Sequence, residues 1–463
     1  MDAKRIADQL ARTEGVDNWH FLLQQREETT IIRLPGIYTV RDGKLGSEPN
    51  PRPREVITAP SESAHAWLFS RFDEDGKEWR GDAYGQLTSD DPARVAPVLA
   101  ALVGAARSQK NELFPLPGKD EPYPEVKLAD PDLAGVDSGQ LLARAQAFID
   151  GIVAEAAELE SVDVSNVELF ITRMQNRLRT SAGVELDYPG TRLTAEVCFL
   201  ARPGEDKVGE HTARLRTRRL FDLDPKVIVS EYGGASRDIA LAGAPPDHQG
   251  SVVLAGEAAA DFFTIGNSPI ALHGGARAVH EKTSHYEKGK PVASGKVKGE
   301  PLNLVSDPLL PCGLSSTMFN QGDAGAARKV TVCRDGNWDT LFGGRRYYHY
   351  LGLLDENTPA PGQAGNTVVP AGSTAHRDLV TDDAVVVKAF SAFEVDSSSG
   401  QFSVEIRLGE TRKDGEVKPF KGGLLVGNWF EAIGDVRFSK EVQVFCSFHG
   451  PRAVRFGNLK VAG

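Results

Sequence analysis

The chain has 463 residues, 40% hydrophobic and 25% charged, with 53 Lys and Arg against 64 Asp and Glu and a formal net charge of −11. This is the composition of a soluble globular protein long enough for two to four domains, and the acidic balance excludes the basic footprint of a nucleic-acid binder. No apolar run approaches the roughly 20 residues that cross a bilayer, and MDAKRIADQLARTEG lacks the apolar centre of a signal peptide, so the expectation is a cytoplasmic protein with neither a membrane nor a nucleic acid as partner.

Residues 1–110 mix strands and helices. Trp19–Leu23, Thr29–Leu34 and Ala64–Arg71 read as short strands, and Asp91-Pro92 opens a helix that Pro97 bends or delays. Residues 110–137, rich in Pro, Asp and Gly, read as a linker. Asp137-Ser138-Gly139-Gln140 has the form of a capping box, and Leu141, Leu142, Ala145, Phe148, Ile149, Ile152, Val153 and Ala156 follow at helical spacing. The period then changes to two at Val167, Leu169 and Ile171. Tyr188-Pro189-Gly190 reads as a turn before a strand over Arg192–Ala201, and Arg214, Arg216 and Arg218 share a strand face read as solvated. After a second break at 241–250 the chain is mostly β. Ala384–Val395, Gln401–Glu410, Val442–Phe448 and Ala453–Leu459 are strands, and Gly256–Phe263 is the clearest helix. The predicted fold class is α+β, with a mixed N-terminal α/β domain (1–110), a middle helix-plus-antiparallel-sheet domain (136–240) and a large β-rich C-terminal domain (250–463).

The four cysteines form no CxxC pair and read as reduced thiols. GxGxxG, GxxxxGK[ST] and GxSxG are absent, and Cys312 and Ser315-Ser316 read as loop residues after a Pro-Cys-Gly turn. The letters of a zinc hydrolase occur once, as His280-Glu281-Lys282-Thr283-Ser284-His285. On a regular helix residues i and i+5 diverge by roughly 140°, so two such imidazoles share an ion only where the helix is locally widened. Gly274-Gly275 and Gly289-Lys290-Pro291 confine the stretch to about three turns without an apolar stripe, which fits a turn better than a metal helix.

A series of short motifs resembles the TldD/TldE (PmbA) family of metallopeptidase-like proteins. They run in order through Gly250-Ser251-Val252-Val253-Leu254, Glu257-Ala258-Ala259-Ala260, Ser306-Asp307-Pro308 and Pro311-Cys312-Gly313-Leu314-Ser315-Ser316. Arg346-Tyr347, Ser399-Gly400-Gln401-Phe402-Ser403 and the closing Asn458-Leu459-Lys460-Val461-Ala462-Gly463 follow. The resemblance covers roughly 137–463. It implies a division of labour: TldD-type subunits carry an HExxxH helix and a cysteine near the C-terminus as zinc ligands, and TldE-type subunits lack these and pair with TldD to form a peptidase. The helix with the alanine pair leads here into Phe262-Phe263-Thr264-Ile265-Gly266-Asn267-Ser268-Pro269, and the His-Glu-His lies downstream of that place. The resemblance therefore implies a TldE-like subunit with no catalytic residue, metal ligand or cofactor of its own. Zinc would reside in a TldD-like partner, and the substrate would be a peptide or amide. Two alternatives stand beside it. The chain is itself a zinc hydrolase, with His280 and His285 as ligands, Glu281 as base and Cys446 as a third ligand, or it is a binding or scaffold protein with no hydrolase partner. Departures at Pro361–Thr367 and Phe420–Ser439 from the family's pattern suggest a specialised substrate, as in secondary metabolism.

Overall fold

The computed structural model describes residues 1–41, 44–355, 359–381 and 384–463. It is an α+β structure in which the first two segments build one antiparallel sheet. The strands run in the order Lys77–Leu87, Arg54–Glu74, Asn18–Arg33, Val162–Thr180, Glu185–Gly204, Lys207–Thr217. Asn18–Arg33 pairs with Arg54–Glu74 on one side and with Val162–Thr180 on the other, so the sheet passes across the sequence break at 110–137 without interruption. The two strands expected at Trp19–Leu23 and Thr29–Leu34 are one strand.

Helices cover one face of this sheet. Ala3–Arg12 and Pro92–Arg107 bury Ile6, Leu10, Val95 and Leu99 against Phe21, Leu23 and Leu68. Asp91 caps the second helix through Ala93 N–H, and Pro97 sits inside it without ending it. Ser138–Ala157 starts at the expected capping box, with Asp137 accepting from Gln140 N–H, and lays Leu141, Phe148, Ile149 and Ile152 on Val167, Leu169 and Ile171. The turn expected at Tyr188-Pro189-Gly190 does not form. Glu185–Gly204 runs through it, because the next strand stops at Thr217 opposite Leu193 and Pro189 lies on a locally open edge where its missing N–H is not needed.

The C-terminal part holds two further sheets. One closes on itself: Val385–Phe390, His248–Ala255, Ala453–Ala462, Leu424–Asn428 and Gln401–Lys413 pair in turn, and the last pairs with the first. The other runs Asn337–Trp338, Val330–Arg334, Leu304–Asp307, Asn366–Val368, Phe448–Pro451, Val442–Phe445. The expected single strand Val442–Phe448 is instead a hairpin, turning at Cys446 with φ 53°. Phe262, Phe263, Phe438, Trp429 and Phe456 form the core shared by both sheets.

Arg218 fastens the first sheet to the C-terminal part. The sequence pattern placed it on a solvated face, yet it is buried. Its guanidinium donates to the carbonyls of Gly313 (2.9 Å), Leu128 (3.2 Å), Thr191 (3.2 Å), Leu314 (3.3 Å) and Ser316 (3.1 Å). Burial, with Arg192 nearby, lowers its pKa to about 10, so the charge is retained at neutral pH. Arg218→Met should leave these buried carbonyls without donors and lower the unfolding free energy by about 3 kcal/mol. The midpoint of urea denaturation checks this, with Arg218→Lys expected to fall in between.

Candidate functional site

The place where the family resemblance puts metal ligands is filled with hydrocarbon. In the helix Glu257–Phe263, residues Ala258, Ala259, Ala260, Phe262 and Phe263 are all buried. The Phe262 ring stands 4.8 Å from Phe456, 5.8 Å from Phe402 and 6.0 Å from Trp429, whose indole N–H donates to Phe262 O at 3.0 Å. Phe263 lies 5.7 Å from Phe438. The polar groups that follow are turned to the backbone, with the Thr264 hydroxyl donating to Ala260 O and that of Ser268 to Ile265 O. Such a donor set offers a metal nothing to bind.

The histidines of the 280–285 stretch lead to different neighbours. The helix Ala276–His280 has five residues, Arg277 is paired with Glu281 (2.8 Å), and Lys282 at φ 58° ends the turn. His280 faces the rings of Tyr347 (5.8 Å) and Tyr350 (5.1 Å). His285 stacks on His273 at 4.5 Å, and its backbone N–H donates to His273 Nδ1 at 2.9 Å. That bond leaves His273 Nε2 to donate to Ser398 O at 3.3 Å, and burial, then His285, lowers the pKa of His273. Cys446 lies in the hairpin turn, with its thiol pushed up by burial. Among the described residues no three His, Cys, Asp or Glu side chains are arranged to hold a metal ion. Cys312 is also buried, its thiol pushed up by burial, and Ser316 donates to Leu310 O at 2.6 Å, as befits loop residues.

A different group of ionisable side chains meets around a 400 Å³ cavity between the edge of the first sheet and the closed C-terminal sheet, lined by His211, Tyr232, Glu257, Lys388, Arg452 and their neighbours. The strand Lys207–Thr217 supplies His211. The one-turn π-helix Val229–Gly233 supplies Tyr232, and the helix after it packs so closely on the strand that a Cβ at Gly209 would stand 2.1 Å from Ser236 O. His211 Nδ1 accepts from Arg407 Nε at 3.2 Å, so the ring presents Nε2–H toward Glu257 Oε1, 4.0 Å away. Tyr232 stacks on the His211 ring at 5.5 Å. Burial, then Arg407, lowers the pKa of His211 to about 4. Burial, then the nearby Asp261, raises the Glu257 carboxyl to about 7, and burial raises Asp261 to about 6. The cavity therefore holds a neutral imidazole donor beside a carboxyl that exchanges its proton near neutral pH. The sequence carried only a faint sign of it: His211 falls on an inward position of the alternating stretch VGEHTARLR, where an apolar residue is expected.

Residues 247–463 match the PmbA/TldA metallopeptidase C-terminal domain. The whole chain has the fold of three solved structures. A candidate modulator of DNA gyrase from Bacteroides thetaiotaomicron is 15% identical with a TM-score of 0.77, over 100% of this chain and 98% of that one. A second candidate gyrase modulator, from Thermotoga maritima, is 17% identical with a TM-score of 0.74, over 100% of both chains. TldE from Thermococcus kodakarensis is 15% identical with a TM-score of 0.75, over 99% of this chain and 100% of that one. No curated protein matches the chain in sequence.

The raised carboxyl gives a pH signature. Glu257 titrates near 4.5 unfolded and about 7 folded, so the folded state holds the proton longer. Its stabilising term is fully present below pH 4.5 and is lost as pH rises through 7, a change of about 3 kcal/mol. Glu257→Gln should flatten the fall in stability between pH 5 and 7.5, measured by denaturation at stepped pH.

Proposed function

We propose that this chain, whose residues 247–463 match the PmbA/TldA metallopeptidase C-terminal domain, is the TldE-like subunit of a two-subunit metallopeptidase, the one that carries no zinc. The observation that carries this reading is the Phe262-Phe263 pair. At the place of the family's metal helix it forms an aromatic core with Trp429, Phe438 and Phe456, and the polar residues after it are bonded to their own backbone. The likeness in fold to the Thermococcus TldE is in keeping with it. The residues present do not fit a metal, so no chemical step is assigned to one here. A zinc-bearing, TldD-like partner supplies the hydrolytic centre, and this chain shapes and lines the cleft in which a peptide or amide substrate lies.

The alternative zinc reading requires His280, His285 and Cys446 to converge, and their neighbours are Tyr350, His273 and the 445–448 turn respectively. The chain purified alone should carry substoichiometric zinc, hydrolyse no peptide, and bind a co-expressed HExxxH-containing partner as a one-to-one complex. Stoichiometric zinc that disappears in His280→Ala, measured by elemental analysis, would contradict the proposal.

A further inference from the structure

The sheet face opposite the helices carries three arginines that, among the described residues, are ion-paired to no carboxylate. Register fixes their side. Arg26 pairs with Met174, Met174 with Gly190, Arg192 with Thr172, and Thr194 with Arg216, and opposed residues point to the same face. Arg26, Arg192 and Arg216 thus stand on three strands of one face. At sheet spacings the Cα of Arg192 lies about 8 Å from that of Arg216 and about 12 Å from that of Arg26. Gly190, beside Arg192 and in line with Arg26, leaves room that the Met174 and Asn176 side chains take up.

The acids on this face are occupied elsewhere. Glu196 is paired with Arg214 at 2.9 Å, Glu168 accepts from Asn166, and Glu28 accepts from the Thr172 hydroxyl at 3.3 Å. Among the described residues the side chain of Arg26 bonds only Gln24, and those of Arg192 and Arg216 have no hydrogen bond or ion pair. Desolvation, then the like charges of Arg26 and Arg216, lowers the pKa of Arg192. In a chain of net charge −11, three guanidiniums gathered without an ion-pair partner outnumber the nearby Glu28 and leave a local positive excess. The face is also continuous with the C-terminal part. Arg192 lies opposite the buried Arg218, in the register that sets Leu193 opposite Thr217, and Arg216 adjoins Cys446.

We propose that Arg26, Arg192 and Arg216 form a docking face for an acidic peptide segment, whose side-chain carboxylates they take by charge-assisted hydrogen bonds. Spacing supports a peptide. An extended chain presents same-side carboxylates about 7 Å apart, close to the separation of Arg192 and Arg216. That the occupant is a peptide rests on the peptidase reading above. The arginine geometry does not depend on it.

Fluorescence anisotropy of the purified chain, without any partner, with a labelled peptide carrying Glu at alternate positions tests this separately from the partner model, since neither activity nor zinc is read. The same peptide with Gln is the comparison. Binding of the Glu peptide should weaken about tenfold or more in Arg192→Ala and in Arg216→Ala. It should recover in part in Arg192→Lys and stay unchanged in Arg94→Ala, which removes an equal charge from a helix on the other face. Equal affinity for the Glu and Gln peptides overturns the proposal, as does an equal loss in Arg94→Ala. No measurable binding of the Glu peptide overturns the assignment to carboxylates.

Discussion

A buried guanidinium, with no carboxylate beside it, gathers more of the contacts between the two halves of the molecule than any other described side chain. Arg218 ends the edge strand of the first sheet and spends its donors on carbonyls from three places: Leu128 in the segment between the first two parts, Thr191 in the adjacent strand, and the 313–316 loop of the C-terminal part. A charge in such a setting is retained only because every donor finds an oxygen, and so the carbonyls must stay where they are. The positions of the cavity and of the arginine face both follow from that constraint. The cavity is where the sheet edge that Arg218 terminates meets the closed C-terminal sheet, and the open arginines are the continuation of its row.

The functional reading turns on how one helix is used. Glu257–Phe263 could present polar groups outward or bury them, and its sequence gives it three alanines and two phenylalanines that insert between the two C-terminal sheets. Burying this much aromatic surface favours the arrangement strongly. Two acids keep it polar, Glu257 in its first turn and Asp261 one turn on. Glu257 faces His211 across the cavity, so the side of the helix nearest the first sheet is where protons can still be exchanged.

Much of the fold was legible because its signals are local. The capping box at Asp137 and the 3.6-residue period after it became the helix Ser138–Ala157, and the alternation at Val167–Ile171 became a strand. What failed was non-local. The pairing of Asn18–Arg33 with Val162–Thr180 joins segments that the sequence separates by a Pro-rich stretch, and that stretch is itself fastened by Glu121 to Arg345 at 3.3 Å and by Lys127 O to Cys312 N–H at 2.7 Å. Pro189 looked like a turn because a lone sequence cannot show that one edge of its strand is open. Arg218 shares its alternation with Arg214 and Arg216, and only a loop some hundred residues further along distinguishes the buried arginine from the exposed ones. At the site, the apolar character of Phe262 and Phe263 could be read directly. The pairing of Glu257 with His211 could not, since it requires the closing of the C-terminal sheet against the edge of the first.

In the proposed pairing, hydrolysis draws its metal chemistry from the partner and not from this chain. Reconstitution tests it directly: peptide hydrolysis by this chain mixed with a TldD-like partner, measured once with the HExxxH histidines of the partner replaced and once with His280, His285 and Cys446 of this chain all replaced by alanine. The account predicts that the first substitution abolishes turnover and that the second leaves it within about twofold of the unaltered pair. Loss of turnover in the second, with the complex intact, would contradict it.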